Sequence, residues 1–182
     1  MVSTLPNVLF AEPLTEENFA PFGWVATANP KGIDPVRVNE GTARRYDRIG
    51  LVENLRPDSA TLNVASFRCA PRQMPFTVRG LEKHAKSTQL FIPFNASRYV
   101  VVVALEISDA AGPPRPDPST LRAFLATGRQ GVAYGPNIWH HTLMALDQET
   151  DFSCFVWEDG TPLDCIVSMF DPADQREVRI QE

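Results

Sequence analysis

The chain has 182 residues, a length that fits one compact catalytic domain spanning 1–182. Apolar residues make up 43% and charged residues 21%, ordinary globular usage that excludes a coiled coil or a disordered acidic tail. With 22 acidic against 17 basic side chains the net charge is −5, which offers nucleic-acid phosphates no basic surface.

The longest apolar run, Tyr99–Leu105, falls well short of the about 20 residues needed to cross a bilayer. No Lys or Arg precedes Lys31 and no apolar stretch follows Met1, so no secretory signal is expected. Cys69, Cys154 and Cys165 are widely spaced and odd in number. They fit neither a disulfide framework nor a paired-thiolate zinc site, and read as ordinary buried thiols of a cytoplasmic protein.

In chain order, Thr15 is placed to cap a short helix that runs to Phe22 and stops at Gly23. Thr61–Arg68 alternates apolar and polar positions, as a half-buried strand does. Gln89–Pro93 and Tyr99–Leu105 are short runs rich in β-branched and aromatic residues. Ser108–Pro118 carries four prolines and Gly112 and reads as a loop excursion within the domain. Asp117 ahead of Pro118 starts a single helical turn. Leu121–Ala126, Val132–Tyr134, Thr142–Leu146, Phe152–Val156 and Cys165–Val167 continue the strand series. Sixteen prolines punctuate these segments and break long helices. The class expected is all-β, a sandwich or barrel with one or two short helices.

The three histidines lie in two short segments, Leu81-Glu82-Lys83-His84 with Gln89 beyond it, and Pro136-Asn137-Ile138-Trp139-His140-His141. On a strand Glu82 and His84 share one face while Lys83 points away; of the adjacent His140 and His141 only one can share it. Imidazole nitrogen and carboxylate oxygen together suit a borderline divalent transition metal better than magnesium or calcium. The same groups suit acid–base chemistry, so both uses stay open.

The spacing Glu82-x-His84-x4-Gln89 resembles the first cupin motif, with Glu82 where a histidine is usual and Gln89 where a glutamate is usual. Pro136-x3-His140 resembles the second motif. From about Pro13 to Asp171 the chain is similar to the ureidoglycolate lyase family of cupins. The likeness is carried by Pro13-Leu14-Thr15, Phe22-Gly23, Arg45-Tyr46-Asp47, Leu81-Glu82-Lys83-His84, Thr88-Gln89 with Phe91-Ile92-Pro93, Val100–Val103, Asp117 to Phe124, Gly131-Val132, Tyr134 and Trp139-His140-His141.

The resemblance implies a double-stranded β-helix (jelly-roll) barrel. It implies cleavage of (S)-ureidoglycolate to glyoxylate and urea in allantoin breakdown, and association with nickel or a similar divalent ion. It also implies a homodimer, with Trp139 and His141 placed to face the partner. The chemistry needs a base for the hydroxyl proton, an acid for the leaving nitrogen and a cation for the carboxylate. Glu82, His84 and His140 are the expected catalytic groups; with Gln89 they are also the expected metal ligands. Arg68, sharing a strand face with Leu62, Val64 and Ser66, is the expected partner of the substrate carboxylate. Tyr46, Tyr134 and His141 are expected substrate contacts. Other readings are a cupin isomerase or metal-dependent enzyme acting on a small organic acid, or a barrel that binds a metabolite without turnover. Within the first reading, an amide hydrolase would release ammonia and carbon dioxide in place of urea.

Overall fold

The computed structural model describes residues 7–107 and 112–181. Ser108–Ala111, the start of the expected loop excursion, lie outside them. The strands are β1 (Val8–Pro13), β2 (Gly23–Thr27), β3 (Val36–Val38), β4 (Ala43–Arg45), β5 (Thr61–Cys69), β6 (Phe76–Val78), β7 (Gly80–Lys83) and β8 (Gln89–Pro93). They continue as β9 (Arg98–Ala104), β10 (Arg122–Thr127), β11 (Gln130–Tyr134), β12 (Trp139–His140), β13 (Met144–Ala145), β14 (Thr150–Glu158), β15 (Ile166–Met169) and β16 (Arg176–Ile180). The one α-helix among the described residues, α1, covers only Glu16–Phe19.

A nine-stranded sheet runs β15-β7-β12-β9-β10-β1-β16-β6, with β13 also paired to β9; a five-stranded sheet runs β2-β11-β8-β14-β5. The architecture is all-β with one short α-helix among the described residues, as expected. β3 and β4 form a separate hairpin.

Strand β9 explains how the two sheets meet. Tyr99, Val101 and Val103 enter a cluster with Phe91, Phe124, Val132, Tyr134 and Phe152 from both sheets. Val100, Val102 and Ala104 enter a second cluster on the opposite face, with Leu81, Val78, Trp139, Met144 and Val178. A strand covered on both faces has no reason to alternate, which is why this run is apolar throughout.

Helix α1 closes one end of the inter-sheet space. Thr15 accepts from the Asn18 N–H at 3.1 Å while the Asn18 side chain accepts from the Thr15 N–H at 2.9 Å, a reciprocal cap. Phe19 is wholly buried against Phe124, with ring centroids 5.5 Å apart and nearly perpendicular, a burial worth about 1.5–3 kcal/mol. The chain then turns at Gly23, whose φ of +145° and approach to β11 admit no side chain: a Cβ there would lie 1.9 Å from the Ala133 carbonyl oxygen.

Two expectations about faces are corrected. On β5 it is Ala65 and Cys69 that pack on the core between the sheets, and Phe67 lies against Phe91. Leu62, Val64, Ser66 and Arg68 therefore point outward; β5 is an edge strand paired only with β14, and its exposed Leu62 and Val64 misstate which side is inside. Trp139 is fully buried in the outer cluster, so it cannot present itself to a partner subunit as the chain is folded here. Cys165 is exposed, unlike the buried thiol expected of it, whereas Cys154 is buried and Cys69 half-buried.

Candidate active site

The register of the first sheet decides which side chains meet. His140 pairs with Val103 and with Glu82, and Val103 faces the inter-sheet core, so His140 and Glu82 face inward together. Trp139 and Lys83, one residue away on each strand, face the outer side. His84 follows β7 immediately, and its ring lies 5.5 Å from that of His140 and nearly parallel to it, at 17°. The metal-ligating atoms of Glu82, His84 and His140 lie within 4.8 Å of one another.

Both imidazoles are oriented through Nδ1. His140 Nδ1 donates to the Ile138 carbonyl at 3.1 Å, and His84 Nδ1 donates to the Asp164 carbonyl. That fixes the tautomer and leaves each Nε2 with a free lone pair aimed into the site. Burial pushes His140 down to about 3, with the neighbouring His84 adding to the effect; burial likewise lowers His84, against the opposing pull of the Asp164 carbonyl and Glu82. Both rings are neutral at neutral pH, and both are mostly or wholly buried.

The second sheet supplies the facing wall. Tyr134 lies flat on His140, with ring centroids 4.1 Å apart and planes within 5°. Tyr134 is also the register partner of Gln89, so the two side chains stand together on one face. Burial raises the Tyr134 phenol far above its usual value, keeping the O–H protonated. Four buried atoms, His84 Nε2, His140 Nε2, Gln89 Oε1 and Tyr134 Oη, have no hydrogen-bond partner among the described residues. Buried polar atoms are rarely left so, and a cluster of them is a site that expects a ligand.

Supporting contacts come from residues that carry no motif. The Asp164 carboxylate is held by the Arg56 guanidinium and accepts from the Asp159 and Gly160 N–H groups at 3.2 and 2.7 Å, which fixes the carbonyl that orients His84. On the outer face Lys83 pairs with Glu106, donates to Asn137 Oδ1 at 2.6 Å and lies 4.8 Å from the centre of a Trp139 ring. The Asn137 N–H in turn donates to the His84 carbonyl at 3.0 Å, tying the two histidine segments together. Cys165 Sγ approaches Glu82 Oε2 at 3.8 Å, and partial desolvation of the sulfur, together with the Glu82 carboxylate, raises its thiol to about 11. Asp164 reaches His84 through its carbonyl and pairs with Arg56 from 108 residues away, so neither leaves a local pattern in the sequence.

A cavity of about 550 Å³ opens onto Glu82 and His140, within the usual range of small-molecule sites. Arg72, Arg79, Phe76 and His141 also line it. His141 sits edge-on to Phe76 at 5.0 Å, and burial lowers its imidazole. Two expected contacts are not brought here. Arg68 is exposed on the outward face of β5 and holds Asp151 at 2.8 Å, so the substrate carboxylate needs a different cation. Tyr46 follows the β3–β4 hairpin and donates to Asn29 Oδ1 at 2.9 Å.

Two packed β-sheets with a mixed imidazole and carboxylate cluster between them make a site suited to acid–base or metal chemistry on a small molecule. Residues 6–177 match the family model described as ureidoglycolate lyase, and the chain belongs to that family. Curated ureidoglycolate lyases from Escherichia coli O1:K1 and from Shigella boydii serotype 18 are 41% identical over 140 residues, covering 77% of this chain and 81% of theirs. Among solved structures, a dTDP sugar isomerase from Desulfovibrio desulfuricans G20 is similar with a TM-score of 0.45 and 12% identity, over 85% of this chain and 89% of its own. RmlC from Streptococcus suis is similar with a TM-score of 0.42 and 9% identity, over 84% and 74%. No helix among the described residues is long and apolar enough to cross a membrane.

Proposed function

We propose that the Glu82–His84–His140 site cleaves the C–N bond of ureidoglycolate, giving glyoxylate and urea, within a single catalytic domain. The observation that carries this reading is the convergence of two neutral imidazole Nε2 atoms and one carboxylate within 4.8 Å, beside a cavity that Glu82 and His140 line, in a chain of the ureidoglycolate lyase family.

The substrate carbon carries a hydroxyl, a carboxylate and a ureido nitrogen. The Glu82 carboxylate, half-exposed at the cavity, takes the hydroxyl proton. The O–H electron pair becomes the second C–O bond of glyoxylate, and the C–N pair leaves with nitrogen. Glu82 returns the same proton to that nitrogen, releasing urea with no net gain or loss of protons. Tyr134, held protonated by burial, donates its O–H to the oxygen where charge develops. The stacked His140 and Tyr134 rings keep bulk water off that side of the substrate.

The donor set also fits a divalent ion such as nickel: His84 Nε2 and His140 Nε2 have no hydrogen-bond partner among the described residues, Glu82 adds a carboxylate and Gln89 an amide oxygen. Bound there, such an ion would supply Lewis-acid polarisation of a substrate oxygen. The homodimer remains part of the proposal, through a surface other than Trp139.

Glyoxylate release by the wild-type chain and by Glu82→Gln and His140→Gln tests the reading. Each variant is expected to lose at least about 100-fold in kcat/KM. Near wild-type turnover in both would remove the cluster from the reaction.

A further inference from the structure

We propose that Arg72 and Arg79 form the anion-gripping half of this site, selecting a small monocarboxylate whose adjacent carbon then lies against Glu82 and His140. The inference rests on the proposed ureidoglycolate reading and names the recognition that reading lacks once Arg68 is displaced to the outer face of β5.

What surrounds the two guanidiniums differs from what surrounds several others in the chain. Arg56, Arg68, Arg98 and Arg122 each hold an aspartate or glutamate. Neither Arg72 nor Arg79 has a carboxylate within ion-pair distance among the described residues, yet both line the cavity that ends at Glu82 and His140. Glu82 is the only acidic side chain in that lining. Two positive groups against one carboxylate leave the cavity with a net charge that an anion can neutralise.

Arg72 is held without being neutralised. Its guanidinium lies 4.7 Å from the centre of the Phe76 ring, and Phe76 is packed edge-on to His141. Stacking fixes the plane of the fork while leaving its N–H donors for a ligand, and a planar fork matches a carboxylate in two parallel hydrogen bonds. Gly80 also lines the cavity, on the same face as Glu82, and leaves no room for a side chain: a Cβ there would lie 2.6 Å from Met169 Sδ and 2.7 Å from the Ser168 carbonyl. Against Glu82 the two guanidiniums leave one net positive charge, which a single ligand carboxylate neutralises.

The test compares wild type with Arg72→Met, Arg79→Met and the double variant, whose exposed positions spare the core, with folding checked by thermal melts. Two readouts are taken. In turnover, each single variant is expected to lower kcat/KM for ureidoglycolate at least tenfold, mainly through KM, and Arg72→Lys is expected to recover only part of the loss. In binding, glycolate and glyoxylate measured by calorimetry are expected to bind wild type and to bind the double variant at least thirty-fold more weakly. Unchanged glycolate and glyoxylate affinity in the double variant, or an unchanged KM in both single variants, overturns the assignment. If wild type fails to cleave ureidoglycolate but binds these monocarboxylates through Arg72 and Arg79, the proposed reaction fails while the anion site stands.

Discussion

Acidification should destabilise this fold through His140, and the size of the effect follows from its surroundings. In the unfolded chain an imidazole takes its proton near pH 6.5, whereas burial and the adjacent His84 hold folded His140 neutral down to about 3. Between those values the unfolded state binds the extra proton. Stability is therefore complete above about pH 6.5 and is lost steadily as the pH falls towards 3, by about 1.4 kcal/mol per pH unit. Between pH 7 and pH 5 His140 alone accounts for about 2 kcal/mol, and His84, lowered for the same reason, adds with the same sign. That is a large part of the roughly 5–15 kcal/mol that stabilises an ordinary domain. Guanidinium unfolding of chelator-treated protein at both pH values, beside His140→Gln, isolates the contribution, because the carboxylates common to both chains cancel. The wild type should lose about 2 kcal/mol more than the variant over this interval. Equal losses, or an NMR titration of the His140 ring with a midpoint near 6.5, would refute the reasoning.

Removing Arg56 as Arg56→Met leaves Asp159 and Asp164 without their shared cation and should lower the unfolding midpoint. The same change frees the Asp164 carbonyl that orients His84, so turnover at a temperature where the variant is fully folded should fall as well. Gly23→Ala should destabilise by more than about 3 kcal/mol or prevent folding, since its Cβ meets the Ala133 carbonyl and its φ is unfavourable for any side chain; a melt within 2 °C of wild type would contradict this. Added nickel at about 100 times its dissociation constant should raise stability by about 2.7 kcal/mol in wild type and leave a His84→Gln/His140→Gln double variant unmoved. An equal rise in both would place the ion elsewhere.

Much of the frame could be read from local pattern. Gln89–Pro93 is a strand with the bounds its composition suggested, and Asp117 caps the turn Pro118–Thr120 as its position before a proline implied. The helix after Thr15 ends at Phe19, earlier than Gly23 suggested, because Phe22 is drawn into the core by the chain's turn towards β2. Strands β1 and β16 were not legible: they pair in parallel across nearly the whole chain, and such partners leave no local sign. Strand β12 spans two residues, too few for any period, yet it places His140. The even face of β5 lies outward although it carries Leu62 and Val64, because an edge strand tolerates exposed apolar residues and alternation alone does not say which side is in. Arg72 and Arg79 stand alone in sequence, and only the cavity brings them beside Glu82 and His140.

The most direct measurement of the central claim is product identity. Ureidoglycolate is incubated with the enzyme, and ammonia is scored with and without added urease alongside glyoxylate. The account predicts glyoxylate with no free ammonia until urease is added, then two ammonia per glyoxylate, all of it lost in Glu82→Gln. Ammonia appearing without urease would mean cleavage of the amide bond, and would contradict a site built to return one proton to a departing urea nitrogen.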